Sequence, residues 1–322
     1  MSRRRSLLFA SLARMTAAGM PVLKAGKVLE ARVRDAGSRQ AVLALESGVA
    51  RGETVAGALR PALTDLEYRM VEAAENGGRL STGFAHLERY YSLLAESQAK
   101  MLRAALYPLA LLNVAALTTG VVAKLAGKPV IPVVVTSLLV VWAVIILLYF
   151  GVRMLIRMAA KSPAADGFLR ALPVASGAWV NLALSRWSAV MHFHLISGQR
   201  MSSALEAAGA ASGSARLAAA SQRLADAAAD GRSVAEAMES EPLFPEFFST
   251  GFLTAETTGT LDVETQQQMS ARMQEATVCM ALLAEWLPRL LYTAALIYGG
   301  WQAFQMAMAI GGQYQKALNG DF

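Results

Sequence analysis

One fifteen-residue pattern occurs twice, 181 positions apart, and it constrains the fold more than any single run of residues. Residues 66–80 read LEYRMVEAAENGGRL and residues 247–261 read FFSTGFLTAETTGTL, so Glu75, Gly78 and Leu80 return as Glu256, Gly259 and Leu261. Upstream, Gly52-Glu-Thr-Val55 returns as Gly231-Arg-Ser-Val234 and Ala58 as Ala237, now 179 positions apart, and Gly19 returns as Gly198 at that same distance. Two extra residues around 242–245 account for the slip. A chain that carries one pattern twice is expected to fold as two related units.

What separates the units is apolar. Residues 104–123 and 130–152 are almost uncharged, as are residues 286–310 after the second unit. Each is near the ~20 residues that a helix needs to cross a bilayer. The whole chain is 55% hydrophobic with a mean hydropathy of +0.38, yet 17% of it is charged, too much for a protein made only of spans. Aqueous and membrane parts must alternate. The net charge is +6, with much of the excess in the N-terminal half from Arg3, Arg4 and Arg5 onward. No aromatic residues are interleaved with the basic ones, which argues against nucleic-acid binding. Cys279 is the single cysteine, so neither an intrachain disulfide nor a cysteine metal site can form. Arg14 interrupts the apolar stretch of the opening MSRRRSLLFASLARM, which reads as an amphipathic first helix and not a cleaved signal.

Positive residues kept on the cytoplasmic side set orientation. Lys100 and Arg103 precede the first span and Arg153, Arg157 and Lys161 follow the second; the hairpin between them carries only Lys124 and Lys128. The expected order is a first cytoplasmic bundle (1–103), a span pair with an external hairpin (104–152), a second cytoplasmic bundle (153–285), a third span (286–310) and an external tail (311–322). Pro108 and Pro288 sit near the starts of their spans, where a missing amide donor costs least. Gly299-Gly300 is either a face for close helix packing or a tolerated kink. No acidic or basic residue lies near the centre of a span, which counts against an ion or proton pathway.

The units show helical periodicity and hardly any strand pattern. Leu217, Ala220, Leu224 and Ala228 fall on one face at spacings of three and four, and alanine dominates. The fold class expected is all-α: two repeated cytoplasmic helical bundles, each of four to six short helices, plus three transmembrane helices. In the repeated Glu-x-x-Gly-x-Leu, a helix runs into a glycine that can adopt the left-handed conformation, and the chain restarts at once. Ser81 and Asp262 suit the N-cap of the next helix, and Leu80 and Leu261 suit apolar anchors under the corner. Glu75 and Glu256 either hydrogen-bond amides at the restart or face a partner.

These residues resemble a known family. A helical unit ending in Phe-Pro, then a helix, Glu-x-x-Gly-x-Leu and a long helix is similar to the F-domain of type II secretion and type IV pilus inner-membrane platform proteins, the GspF/PilC-like group. Here the second unit offers Phe244-Pro245, then Glu256, Gly259, Leu261 and Asp262, and Tyr107-Pro108 resembles the family's opening of its first span. The departures are Ala74 and Ala255 before the glutamates, Leu63-Thr64-Asp65 in place of Phe-Pro, and Glu285-Trp-Leu-Pro288 at the third span. With the short hairpin, they suggest a compact, divergent branch, such as one serving type IVb-like pili. The resemblance implies a non-enzymatic platform without cofactors. It also implies as partners a hexameric assembly ATPase, pilins or pseudopilins, other inner-membrane assembly proteins, membrane lipid and further copies of the chain in a homo-oligomer.

Two other classes find less support in the sequence. A membrane enzyme would need a reactive centre, but His192 and His194 point to different helix faces, His86 is the only other histidine, and Ser197 and Ser249 have no evident triad setting. No Gly-x4-Gly-Lys-Ser/Thr loop is present, so ATP hydrolysis would fall to a partner. A small transporter is disfavoured by three spans without intramembrane charge.

Overall fold

The computed structural model describes residues 2–31, 35–125, 127, 129–173 and 175–318. Lys128 of the hairpin and residues 319–322 of the expected external tail lie outside the described residues. All secondary structure described is helical. The first repeat comprises α1 (Ser2–Ala17), α2 (Val22–Glu30), α3 (Ala36–Ala50), α4 (Val55–Leu59) with a 3-10 turn (Arg60–Ala62), α5 (Asp65–Asn76) and α6 (Leu80–Leu125). Next come α7 (Val130–Ala159) and α8 (Pro163–Ala171). The second repeat is α9 (Ser176–Ile196), α10 (Met201–Ser212), α11 (Ala215–Ala229), α12 (Val234–Glu239), α13 (Glu246–Thr258) and α14 (Leu261–Leu318). Helix for helix, α1–α6 correspond to α9–α14.

Local chemistry explains why the helices begin in register. Asp35 caps α3 by accepting from Ser38 N (3.0 Å), and Ser214, 179 positions on, caps α11 by accepting from Leu217 N (3.2 Å). Thr54 and Ser233, the same distance apart, cap α4 and α12. A side-chain oxygen at these positions satisfies an amide that has no partner within its helix. The frame diverges at α5 and α13: Thr64 forms a capping box with Glu67, whereas Pro245 occupies the corresponding cap position with no side-chain bond.

Residues 1–97 and 156–280 form one compact unit. Its core is one apolar cluster drawn from both repeats. In the second repeat Trp187 is enclosed by Phe244, Phe248 and Phe252 at centroid distances of 5.3–5.6 Å, and its indole N–H donates to Ser221 Oγ (2.7 Å). In the first, Phe9 stacks on Phe84 and Tyr91. The repeats meet where α5 packs on α9 and α10. There Ser197 Oγ donates to the Ala73 carbonyl (2.7 Å), Arg186 Nε donates to Tyr90 Oη (2.6 Å), and the His86 ring stands edge-on to Phe193.

Residues 98–155 and 281–322 form the second unit. Ser137 Oγ donates to the Ala116 carbonyl (3.0 Å), Trp142 Nε1 donates to Asn113 Oδ1 (3.2 Å), and the Tyr107 and Tyr292 rings lie 5.7 Å apart. A Cβ on Gly120 would come within 2.8 Å of Val134, so this glycine lets two helices approach closely. Leu147, Phe150 and Leu296 point outward, as side chains solvated by lipid do.

α6, α7 and α14 are long and apolar enough to cross a membrane. At 46 and 58 residues, α6 and α14 are roughly 70 and 90 Å long, against a hydrocarbon core of about 30 Å. Each therefore carries both an aqueous segment and a span. This corrects two sequence expectations. Pro108 and Pro288 are interior to their helices, not near a start, so the carbonyls four residues earlier lose their usual donor. Hydropathy marks where a span begins, not where its helix does. Likewise α6 opens at Leu80 and α14 at Leu261, so Ser81 and Asp262 stand in the first turn and the N-cap positions fall to Arg79 and Thr260.

Candidate functional site: the glutamate and glycine corners

The three glycine pairs of the sequence repeat all have left-handed backbones: Gly19 and Gly198 (φ 77° and 68°), Gly52 and Gly231 (82° and 75°), Gly78 and Gly259 (65° and 72°). At each, the following residue's amide reaches back five positions: Met20 to Met15, Gln199 to His194, Glu53 to Gly48, Arg232 to Ala227, Arg79 to Ala74 and Thr260 to Ala255. Such bonds close a helix end while glycine supplies the positive φ. A Cβ at any of the six would meet nothing within 4 Å, so conformation and not space demands glycine there.

Glu75 and Glu256 connect the two motifs that the sequence repeats separately. Glu75 accepts from Val55 N (2.7 Å) and Ala56 N (2.9 Å). Glu256 accepts from Val234 N (3.0 Å) and Ala235 N (3.1 Å), and also from Ser233 Oγ (2.6 Å). Each carboxylate thus sits on the N-terminus of the short helix that follows Gly-x-x-Val, where free amides and the helix dipole favour negative charge. The amides held are not those of the restart after Gly78 and Gly259. Both oxygens of each carboxylate are engaged inside the bundle.

The other candidate residues divide by environment. Leu80 and Leu261 are half-buried against the core, and Phe244 is buried against Trp187 and Phe248. Pro245 is exposed at the cap position of α13. Asp262 is exposed, and its backbone carbonyl accepts from His192 Nδ1–H (2.9 Å). Pro108 is buried within α6. Added side-chain carbons at Gly299 and Gly300 would meet nothing, so no described helix packs on that pair.

Several structural residues gave no sequence signal. Arg5 and Glu67 form a buried ion pair (3.6 Å), and Arg5 Nη2 also donates to the Ala62 carbonyl. Asp166, fully buried, accepts from Trp179 Nε1 (2.6 Å) and Ser214 Oγ (2.7 Å). Each joins residues distant in sequence, so only the tertiary fold reveals them. His192 and His194 are held below their ordinary pKa chiefly by burial. Among the described residues, no group of three or more His, Cys, Asp or Glu is placed to hold a metal ion.

Residues 8–124 match the family model described as type II secretion system (T2SS), protein F. No curated protein matches the chain. The matched stretch runs from within α1 to the end of α6, one bundle together with its span.

Proposed function

Since residues 8–124 match the family model described as type II secretion system protein F, we propose that this multi-pass membrane chain is a non-enzymatic platform for a type IV pilus or type II secretion machine. In this reading it couples a cytoplasmic hexameric assembly ATPase to pilin or pseudopilin polymerisation. The observation that supports it best is the repeated architecture: two glycine-framed bundles, each running without a helix break into a membrane span. A part that passes on motion needs stiff elements, and an unbroken helix is one, even with a hydrogen bond missing at its proline.

In the bacterial inner membrane both bundles face the cytoplasm, and the hairpin and the tail face the periplasm. Arg153, Arg157 and Lys161 after α7's apolar stretch favour that arrangement. The ATPase docks on the bundles, and the spans meet the pilins.

The test uses the full chain in lipid nanodiscs. The reading expects saturable binding of the ATPase encoded with it, and loss of pilus or secretion output when the chain is deleted. ATP hydrolysis or solute flux from the chain alone would overturn it. A reporter fused after residue 311 separately checks orientation: activity in the cytosol would refute the external tail.

A further inference from the structure

The contact between the two repeats is heterologous: different surfaces of equivalent units meet. The first repeat contributes α5 and the start of α6; the second contributes α9 and α10. On the first side Leu66, Met70 and Ala73 are covered, at 7%, 2% and 0% exposure. On the second, Ser197 bonds the Ala73 carbonyl, and Ser185, Arg186 and Ala189 line one pocket with Leu66 and Met70. Each repeat should own both surfaces, because each has the same helices. One surface of each is therefore left over.

The unused surfaces follow from the offsets. The counterparts of Leu66, Met70 and Ala73 on α13 are Phe247, Gly251 and Thr254; Phe247 is 73% exposed and Thr250 and Thr254 are open to solvent, while Gly251 is covered by the Glu264 side chain. The counterparts of Arg186, Val190, Phe193 and Ser197 on α1 are Leu7, Ser11, Arg14 and Ala18; Leu7 is 60% exposed, Arg14 and Ala18 are exposed, and Ser11 is half-buried. A large apolar side chain thus stands bare on each unused face, at a position whose equivalent lies in the repeat contact. The charges are complementary. Residues 1–79 hold 13 Lys and Arg against 8 Asp and Glu, whereas residues 176–260 hold 5 against 8. Arg14, Lys24 and Lys27 are exposed on α1 and α2, and Glu246 and Asp262 are exposed at the start of α13 and just after its end.

We propose that the α13 face of one copy, centred on Phe247, docks on the α1 and α2 face of a second copy, repeating between chains the contact that joins the repeats within one. A heterologous contact continues from copy to copy until it closes as a ring or runs open. The proposal stands whichever machine the chain serves.

The contact Ser197–Ala73 gives the probe, since its equivalent between copies is Ala18 with Thr254. In a Cys279→Ser background, full-length copies carrying either Ala18→Cys or Thr254→Cys, with different tags, are co-expressed and oxidised in membranes. The expected product is a dimer bearing both tags, about tenfold above a control pairing Ser47→Cys with Thr254→Cys. Adding Phe247→Glu to the Thr254→Cys copy should cut that yield roughly tenfold, the scale of losing one aromatic anchor. Because Phe247 is exposed, its melting temperature should hold. Linkage no greater than the control overturns the proposal. So does linkage of Ala18→Cys or Thr254→Cys copies to themselves, which would mean isologous pairing. Equally decisive against it would be Phe247→Glu sparing the cross-link while abolishing capture of another assembly protein.

Discussion

The two bundles share a turn frame and differ in what fills it. All three left-handed glycines, the carboxylate on the short helix and the caps of the third and fourth helices occur in both repeats. The cores diverge. Arg5 and Glu67 form a buried ion pair in the first bundle; at the corresponding positions the second has Leu184 and Phe248, both fully buried. One backbone frame therefore accepts an ionic or an apolar filling. The difference arises because positive φ is demanded of the residue at the turn itself, whereas a core position demands only volume and satisfied polarity.

The largest effect expected lies at that substituted pair. Glu67→Leu alone leaves the mostly buried Arg5 guanidinium without its counter-charge and should destabilise the compact unit by about 3–5 kcal/mol. Arg5 Nη1 already lacks a hydrogen-bond partner, so little is available to compensate. Arg5→Leu combined with Glu67→Phe, which copies the second bundle, should recover most of the loss or exceed the parent. Chemical denaturation of the detergent-solubilised chain checks this. A double variant no better than the single would break the equivalence of the two cores.

Next come the carboxylate ties. Glu256→Ala strands two amides and a hydroxyl, and should cost about 2–3 kcal/mol; Glu75→Ala strands two amides and should cost less by about 1 kcal/mol. Equal losses would mean that the Ser233 bond contributes nothing. Binding of the proposed ATPase partner by the folded fraction should stay unchanged in both, because both oxygens of each carboxylate are engaged within the bundle. Comparable to Glu75→Ala, Gly78→Val and Gly259→Val should each cost about 1–2 kcal/mol, since a β-branched residue resists positive φ in either repeat. Thermal melting of the pair compares them directly. A markedly milder effect at Gly78 would show that its corner relaxes where the other does not.

The corners were legible from the sequence because a glycine's tolerance of positive φ is a property of one residue. So were the spans and the all-helical class, which depend on composition within a window. Contacts across long separations were not legible. Nothing near Glu256 indicates that its partners are the amides of Val234 and Ala235, although the two motifs involved were visible as separate repeats. Nor does hydropathy indicate that the span after Pro108 shares a helix with Leu80, since an apolar stretch and its charged N-terminal extension look like different elements in sequence. The meeting of α5 with α9 and α10 joins residues more than a hundred positions apart, and the local pattern of neither helix specifies the other.

The smallest prediction concerns acid, and it compares the first helices of the two repeats. The second carries His192 and His194 on α9, where the corresponding positions on α1 are Ala13 and Met15. Burial lowers the pKa of both histidines below the ordinary 6.5, outweighing the Asp262 and Val190 carbonyls that accept from their Nδ1–H groups. An unfolded histidine takes up its proton as the pH falls through about 6.5, and the buried one does so only at lower pH. Over that interval the unfolded state binds more protons, so stability falls as the pH falls and is fully present above 6.5. Between pH 7 and pH 5 each histidine should contribute to that loss. Replacing both with glutamine should make the fall in melting temperature shallower across that range, leaving the share of His86, which burial lowers to about 4. If the slope persisted undiminished in the double variant, the acid response would have to come from groups outside α9, and the contrast between the two bundles would not extend to their protonation.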